Sequence, residues 1–339
     1  ERNFNESLVD IIMTNNDNDI SFKGSDLRWS DSTSDINATD STTHTVKYTI
    51  DDEGDYSLQL KVKDIAGNDN NVVQYLGDAP TSFVIDKVSP VINVSMSGTS
   101  QNKANYFNEN REVIIEVTDR NFDDSDVNLV ITKDGQNYSQ NLTWNTDQSV
   151  SNRTNATKST ARFTISEEGD YTFTISCNDL ANNASSQTNY ATSDCERFTI
   201  DKTAPTVTIT GVSYMSANNG KKDGQKISIP LTVSVNDANI GNYYANNEID
   251  RNDLVEILQY STLNSTETYS GFALSQSSRT DAVYAVSNIE TDGIYVLNLN
   301  IQDCAGNKIT TVTYNTDENS TAQQSVTSGA TEFFRFSVN

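Results

Sequence analysis

The chain has 339 residues, enough for two or three domains at roughly 100–200 residues each. Acidic residues outnumber basic ones by 47 to 23, and the net charge of −24 makes nucleic acid and anionic lipid poor partners, because both are bound through clusters of Lys and Arg. No apolar run approaches the ~18 residues of a membrane span, so no direct membrane insertion is expected.

Short stretches in which apolar and polar residues alternate predict β-strands along the first part of the chain. Residues 9–13 form one such stretch, and Tyr48 and Ile50 belong to another. The clearest strand has four inward-facing positions, which are Tyr56, Leu58, Leu60 and Val62. It ends at a turn of the form Asp-x-Ala-Gly-Asn, residues 64–68.

This strand and its turn recur twice further along the chain. The strand's first tyrosine recurs at Tyr56, Tyr171 and Tyr295. The turn's aspartate recurs at Asp64, Asp179 and Asp303, and therefore with the same spacing. The repeating unit has the length of a whole domain rather than that of a solenoid repeat.

Two short proline-containing segments, residues 85–90 and 200–205, mark the boundaries between repeats. They divide the chain into three predicted domains, residues 1–87, 88–202 and 203–339, which we call the first, second and third repeats. Proline stiffens both linkers, so neighbouring domains should be only partly free to bend.

The first repeat is expected to be incomplete. Its residues 1–7 align with residues 119–125 of the second repeat. Nothing in it corresponds to residues 88–118, which carry the first two predicted strands of the second repeat. We therefore expect the chain to begin inside a domain.

Several short strands joined by polar turns predict an antiparallel β-sandwich in each repeat. The segment Asp52-x-Gly-x-Tyr56 has the form of a tyrosine corner, in which the phenol hydroxyl bonds back to the preceding turn. We therefore assign a structural role, and no ligand, to Tyr56, Tyr171 and Tyr295.

The motif Tyr-x-φ-x-φ-x-φ-x-Asp-x-Ala-Gly-Asn, closed by Phe-x-Ile-Asp-Lys-(Thr/Val)-x-Pro, resembles the bacterial immunoglobulin-like repeats of large cell-surface proteins. The resemblance covers all three repeats, although Asn182 replaces the glycine in the second and the third lacks the Ile-Asp-Lys ending. It implies an all-β chain of tandem immunoglobulin-like Greek-key β-sandwiches in a linear array. It also implies a bacterial protein at the cell surface or secreted.

Repeats of this kind serve as stalks, spacers and adhesin modules, so two functions are open. The first is an adhesin-type segment whose loops bind a host protein (matrix, mucin or immunoglobulin) or a glycan. The second is a purely structural stalk that projects a distal binding or catalytic head. In either case we expect a monomer.

No motif in the sequence predicts an enzyme. His44 is the only histidine, and it lies in a predicted strand without the context of a nucleophile motif. There is no His-Glu-x-x-His motif, no phosphate-binding loop and no Cys-x-x-Cys pair. We predict no catalytic residue.

The third repeat carries an enlarged polar loop, residues 240–258. Tyr243 and Tyr244 within it have the composition of a binding loop and are the predicted ligand contacts. Residues 252–258 are compatible with a short helix. The alternative is a loop that binds nothing, because loops vary freely in sequence.

The three cysteines lead to two expectations. Cys177 faces the core and Cys195 precedes the last strand of the same repeat, and the sequence leaves open whether they form a disulfide. Cys304 occupies the position of Ile65 and Leu180 and is expected to be a buried apolar thiol.

The sandwich topology brings acidic residues to the domain junctions. In such a sandwich, the B–C turn (between the second and third strands) and the F–G turn (between the last two strands) lie at the pole that faces the preceding domain. Each linker should therefore approach both turns. The first junction should gather Asp86, Asp119 and Asp179. The second should gather Asp201, Asp237 and Asp303.

Two interpretations of these clusters are open. Three carboxylates and nearby carbonyls suit Ca²⁺, which is the one candidate cofactor. Alternatively, each Asp bonds to its own turn backbone while Lys87 and Lys202 neutralise the charge. Under either interpretation, three residues at the turn tips should pack near the preceding linker: Ile65, Leu180 and Cys304.

Overall fold

The structure is a computed structural model that describes most of the chain. The described residues are 4–32, 43–69, 81–147, 157–185, 188–218, 221–222, 225–226, 229–241, 244, 255–261, 265–268, 273–286, 289, 292–317, 320–325 and 334–339. Strands account for 58% and no α-helix is present among these residues, which confirms the all-β prediction. In the same part of the chain, no helix is long and apolar enough to cross a membrane.

The first repeat forms one main sheet and a separate hairpin. Its described strands are β1 (Val9–Asn15), β2 (Asn18–Asp19), β3 (Phe22–Lys23), β4 (Ser30–Ser32), β5 (Thr43–Thr45), β6 (Gly54–Val62) and β7 (Ser82–Ile85). The main sheet has the order β2-β1-β6-β7, with β3 also against β1, and β4 pairs with β5. Two 3₁₀ turns, Glu6–Leu8 and Gly24–Asp26, flank β1 and β3.

The second repeat forms two sheets. Its strands are β8 (Val91–Met96), β9 (Tyr106–Phe107), β10 (Arg111–Asp119), β11 (Phe122–Lys133), β12 (Gln136–Asn137), β13 (Trp144–Thr146), β14 (Thr157–Ile165), β15 (Gly169–Asp179), β16 (Thr188–Tyr190) and β17 (Arg197–Ile200). One sheet has the order β13-β14-β10-β8-β16 and the other β12-β11-β15-β17-β9. Only the β8–β16 and β9–β17 pairs are parallel among these strands. A 3₁₀ turn covers Ser193–Cys195.

The third repeat follows the same plan on a larger scale. Its strands are β18 (Thr206–Ser213), β19 (Ala217–Asn218), β20 (Lys221–Lys222), β21 (Gln225–Lys226), β22 (Leu231–Asn236), β23 (Val255–Ser261), β24 (Ser265–Thr268), β25 (Ala273–Ser277), β26 (Asp281–Val286), β27 (Gly293–Leu299), β28 (Thr311–Asp317), β29 (Ser320–Ser325) and β30 (Phe334–Val338). The two main sheets have the orders β25-β26-β22-β18-β28-β29 and β19-β30-β27-β23-β24, and β20 pairs with β21.

The helix considered for residues 252–258 is not formed. Residues 255–258 belong to β23, which pairs antiparallel with β27 so that Ile257 lies opposite Leu297. This strand occupies the place of β11 in the second repeat, where Leu129 lies opposite Ile175. The period-two spacing of Val255 and Ile257 is the signal that was missed.

Matching strands are buried to different depths in the first and second repeats. Phe173, Ile175 and Cys177 of β15 are all buried against the facing sheet of the second repeat. The corresponding Leu58, Leu60 and Val62 of β6 are only half-buried. The first repeat has no counterpart of β8 and β10 among its described residues, so less apolar surface covers this face.

The strand predicted around Tyr48 and Ile50 is not formed either. Residues 46–50 lie outside any strand, and the Tyr48 side chain is 57% exposed. The corresponding strand of the second repeat, β14, pairs along its whole length with β10. Without such a neighbour, a strand at residues 46–50 would leave its backbone groups without ladder partners.

The tyrosine corners are confirmed for the first two repeats. The hydroxyl of Tyr56 donates to the carbonyl of Asp52 (2.7 Å), and that of Tyr171 donates to the carbonyl of Glu167 (2.9 Å). Tyr295 is fully buried at the equivalent place. Each ring also stacks on a Phe of the adjacent last strand, with centroid distances of 5.0–5.2 Å for the pairs Tyr56–Phe83, Tyr171–Phe198 and Tyr295–Phe336.

The disulfide left open by the sequence is not formed, since Cys177 and Cys195 are both buried free thiols. The backbone N–H of Phe173 donates to the carbonyl of Glu196, which places Cys195 near the level of Phe173 on β15. Cys177 lies four residues further along that strand, or about 13 Å at ~3.3 Å per residue. A disulfide needs Cβ atoms about 4 Å apart. Cys304 is buried and free, as expected.

Candidate functional sites at the domain junctions

The two predicted groups of acidic residues are formed. Each offers three carboxylate oxygens that all lie within 4.8 Å of one another. We call Asp86, Asp119 and Asp179 the first triad, and Asp201, Asp237 and Asp303 the second triad. All six side chains are buried. Each triad joins the linker after one repeat to two turns of the next.

Short turns hold the carboxylates in place. In the first triad, Asp119 Oδ1 accepts the backbone N–H of Asn121 (2.7 Å) and Asp179 Oδ1 accepts that of Asn183 (2.7 Å). The second triad repeats this, with Asn239 N–H to Asp237 (2.7 Å) and Asn307 N–H to Asp303 (2.8 Å). The predicted bonding of each Asp to its own turn is therefore confirmed for these four residues.

Four asparagines that the sequence reasoning did not single out connect the turns to the upstream linker. In the first junction, Asn121 Nδ2 donates to Asp86 Oδ2 (2.5 Å) and Asn183 Nδ2 donates to the Asp86 carbonyl (3.0 Å). Asn183 Nδ2 also donates to Asp179 Oδ2 (2.8 Å), so one amide joins linker and turn. The recurrence of Asp-x-Asn after the second strand was the available signal.

The second junction uses the equivalent asparagines. Asn239 Nδ2 donates to Asp201 Oδ2, and Asn307 Nδ2 donates to the Asp201 carbonyl (2.9 Å). Asn307 Nδ2 also donates to Asp303 Oδ2 (2.7 Å). Equivalent asparagine and aspartate side chains therefore close both junctions.

The proposed neutralisation by lysines is wrong. Lys87 Nζ donates to the carbonyl of Asp51, and Lys202 Nζ donates to the carbonyl of Ser166 and to Asn110 Oδ1 (2.6 Å). Both lysines therefore reach back to the turn of the preceding repeat. No Lys or Arg of the described residues forms an ion pair with a triad carboxylate.

Burial shifts the acidity of four of the triad carboxyls, although hydrogen bonds oppose it in part. Burial is the main cause that raises the pKa of Asp119 to about 6, and the nearby Asp179 and Asp86 add to it. In the second triad, burial raises the pKa of Asp237 to about 6 and that of Asp303 to about 7. Burial raises the pKa of Asp201 as well, against the hydrogen bond from Asn239.

The triads fit a hard divalent cation. Ca²⁺ binds oxygen ligands at about 2.3–2.6 Å, so two oxygens on one ion cannot lie more than about 5 Å apart. The carboxylate oxygens of each triad meet this limit. They supply three of the six to eight ligands that Ca²⁺ takes, and their charge explains why a cation rather than an anion would bind. Ca²⁺ binding stays a prediction.

One of the two predicted ligand-binding tyrosines, Tyr244, lies at the second junction. Tyr243 is outside the described residues. Tyr244 is half-buried, with its ring centroid 5.1 Å from that of Tyr106 and its hydroxyl 2.8 Å from Thr199 Oγ1. Burial raises the pKa of its phenol to about 12. Tyr244 therefore packs against the second repeat instead of facing solvent.

The turn tips differ between the junctions. Cys304 packs beside Tyr106 and Ala305 at the second junction, as predicted. Leu180, at the same place in the first junction, is 71% exposed, and Ile65 of the first repeat is 66% exposed, so the prediction was wrong for both residues. The reason is that no described residue of the first repeat extends over Leu180 as Tyr106 extends over Cys304.

His44 shows a packing arrangement. Its ring stacks on that of Phe4 at a centroid distance of 4.1 Å. Phe4 also contacts Trp29 at 4.9 Å. The absence of catalysis stays a prediction.

Comparison with known proteins adds no family assignment, because no family model and no curated protein matches the chain. The function is therefore inferred from the geometry of the junctions.

The raised pKa values predict a pH dependence of stability with a definite sign. The folded state binds the protons of Asp119, Asp237 and Asp303 more tightly than the unfolded chain, in which an Asp has its ordinary pKa of 3.8. Without divalent cations, the free energy of unfolding should therefore fall as the pH rises from about 5 to about 8. A shift of about two pKa units corresponds to on the order of 2–3 kcal/mol per group, an upper bound for coupled groups.

Urea unfolding in EDTA at several pH values measures this dependence. Asp237→Asn should flatten it, because the substitution removes the charge and keeps the oxygen that accepts the Asn239 N–H. Asp281→Asn is the matched control, since the half-buried Asp281 accepts hydrogen bonds from Thr280 and Asn236 that lower its pKa, and it therefore does not titrate in this range. Stability that rises with pH in wild type would contradict the triad electrostatics.

Ca²⁺ should reverse the loss of stability at about pH 8, where the triads are fully ionised. We expect the melting temperature to rise with Ca²⁺ in the millimolar range and the increase to shrink in Asp237→Asn but not in Asp281→Asn. Mg²⁺ should act more weakly, because it holds its waters more firmly. No heat and no shift in melting temperature at millimolar Ca²⁺ would eliminate the metal.

Proposed function

We propose that the chain is a spacer segment of a bacterial cell-surface protein, built from immunoglobulin-like domains whose junctions are held in a fixed direction. The observation that carries the proposal is that both junctions are closed by equivalent residues, three aspartates and two asparagines in each. A repeated arrangement of buried polar groups between domains serves to orient them.

The strand order supports the immunoglobulin-like part of the proposal. In the second repeat, β13-β14-β10-β8 corresponds to the D-E-B-A order of such a sandwich, and β12-β11-β15-β17 to C′-C-F-G. The third repeat has the same orders in β25-β26-β22-β18 and β24-β23-β27-β30.

The junction bonds matter because domains in one chain move relative to each other unless their interface is extensive. A hydrogen bond between buried groups contributes about 0.5–1.5 kcal/mol, and more when one partner is charged. Asn121 and Asn183 each connect the first linker to a turn of the second repeat, and Asn239 and Asn307 do so at the second junction. Resistance to bending is what a spacer needs to hold a distal part of the protein away from the cell.

The adhesin-type alternative gains no support from the described residues. Tyr244 packs between repeats, so a host protein or glycan would not find it on an open surface. Binding by Tyr243, and by any other loop, stays a prediction.

Small-angle X-ray scattering from the 339-residue chain tests the proposal. We expect the wild-type profile to fit a single extended shape. Asn121→Ala combined with Asn239→Ala should lower the mean maximum dimension and require several conformers, because both linkers lose a contact to the next domain.

The matched control is Asn137→Ala, which removes an exposed asparagine whose amide bonds only to nearby Ser139 in the described residues. Circular dichroism checks that each variant keeps its strands. Identical profiles for wild type and the double variant would show that these asparagines do not orient the domains.

A further inference from the structure

The acidic residue just upstream of each first-repeat and second-repeat tyrosine corner has a partner across the junction. Asp55 pairs with Arg120 of the second repeat (2.8 Å), and Asp170, its counterpart, pairs with Arg279 of the third (2.6 Å). The arginines come from different turns, because Ala238 occupies the position of Arg120 in the third repeat. Charge pairing is therefore kept at both junctions, but it is built differently.

The pairing is more extensive at the second junction. Arg279 Nη1 and Nη2 donate to both carboxylate oxygens of Asp170, each at 2.6 Å. Arg279 Nη2 also donates to Asn239 Oδ1 (2.6 Å). At the first junction, a single nitrogen of Arg120 contacts a single oxygen of Asp55. A planar guanidinium that binds both oxygens restricts rotation more than a single contact does.

The enlarged loop of the third repeat extends this network. Thr199 Oγ1 donates to Asp170 Oδ1 (2.7 Å) and also lies 2.8 Å from the hydroxyl of Tyr244. Arg279, Asp170, Thr199 and Tyr244 thus form one polar chain that crosses the junction twice. The second repeat has no counterpart of this loop, because only two residues separate β10 from β11.

Apolar packing and backbone bonds surround the polar chain. Tyr106 of the second repeat is fully buried beside Tyr244 and Cys304 of the third. The backbone N–H of Lys103 donates to the Cys304 carbonyl (2.9 Å), and Asn102 Nδ2 donates to the Asp303 carbonyl (2.5 Å).

We propose that the two junctions of this chain are unequal joints, in which the contacts of Tyr244 and Arg279 hold the third repeat to the second more rigidly than Arg120 holds the second repeat to the first. This inference rests on the proposed spacer function and deepens it, since it states which of the two junctions resists bending more. It also gives Tyr244 a role that requires no ligand.

Distances between spin labels measure the freedom of each joint in the full chain. We would place labels on exposed strand positions, with Gln59→Cys and Asn128→Cys across the first junction, and Asn128→Cys and Thr210→Cys across the second. The three native thiols are buried and should not react. Double electron–electron resonance then gives the distribution of each distance.

We expect a narrower distribution across the second junction than across the first. Tyr244→Ala should broaden the second distribution and leave the first unchanged, while Tyr244→Phe should broaden it less, because the ring remains and only the contact with Thr199 is lost. Arg120→Ala is the reciprocal control and should broaden only the first. Tyr244 lies outside the strands, so the sheets of these variants should persist, as circular dichroism would verify.

Each outcome separates this inference from the spacer proposal. Equally narrow distributions at both junctions, or a second distribution that Tyr244→Ala does not broaden, would overturn the unequal joints and leave the spacer intact. Equally broad distributions at both junctions would overturn both.

Discussion

Each junction buries three carboxylates against one another, and this constraint organises the contacts around it. Burying an unpaired charge is costly unless it is hydrogen-bonded, neutralised or bound to a cation. The structure meets this cost with asparagine amides and turn N–H groups, and the pKa of the central carboxyls rises. The linker and the two turns that carry the other aspartates can satisfy these carboxylates only when they converge. The burial of these acids therefore fixes the orientation of the domains.

The location of the triads could be derived from the sequence because it follows from strand direction. Tyr56, Tyr171 and Tyr295 identified the equivalent strands β6, β15 and β27. The direction of these strands determined the pole at which Asp179 and Asp303 lie. The side chains that surround the triads could not be derived in this way. Lys87 and Lys202 are adjacent to the linker aspartates in sequence, yet extended backbone directs successive side chains to opposite sides, and both lysines reach back to the preceding repeat.

The enlarged loop illustrates a prediction that the topology could have corrected. Its residues follow Asp237, which had already been assigned to the pole facing the second repeat. A loop that starts there meets a neighbouring domain, and Tyr244 packs against Tyr106 for that reason. Strand β23, which follows the loop, could also have been predicted, since Val255 and Ile257 alternate as Val127 and Leu129 do. Composition favoured a binding loop, whereas position in the chain favoured a joint. In the first repeat, Tyr48 and Ile50 have the spacing of a strand. No strand forms there, because a strand also needs a neighbouring strand with which to form backbone hydrogen bonds.

Titration of the aspartate carboxyl carbons by NMR, in protein labelled with ¹³C-aspartate and freed of divalent cations, tests the buried-triad account most directly. The account predicts that Asp119 and Asp237 titrate near pH 6 and Asp303 near pH 7, far above the ordinary pKa of 3.8. Half-buried Asp281 serves as the internal reference and should titrate below 3.8. If Asp119, Asp237 and Asp303 all titrated with Asp281, they would be hydrated and separate, and the junctions would not be held together in the way described.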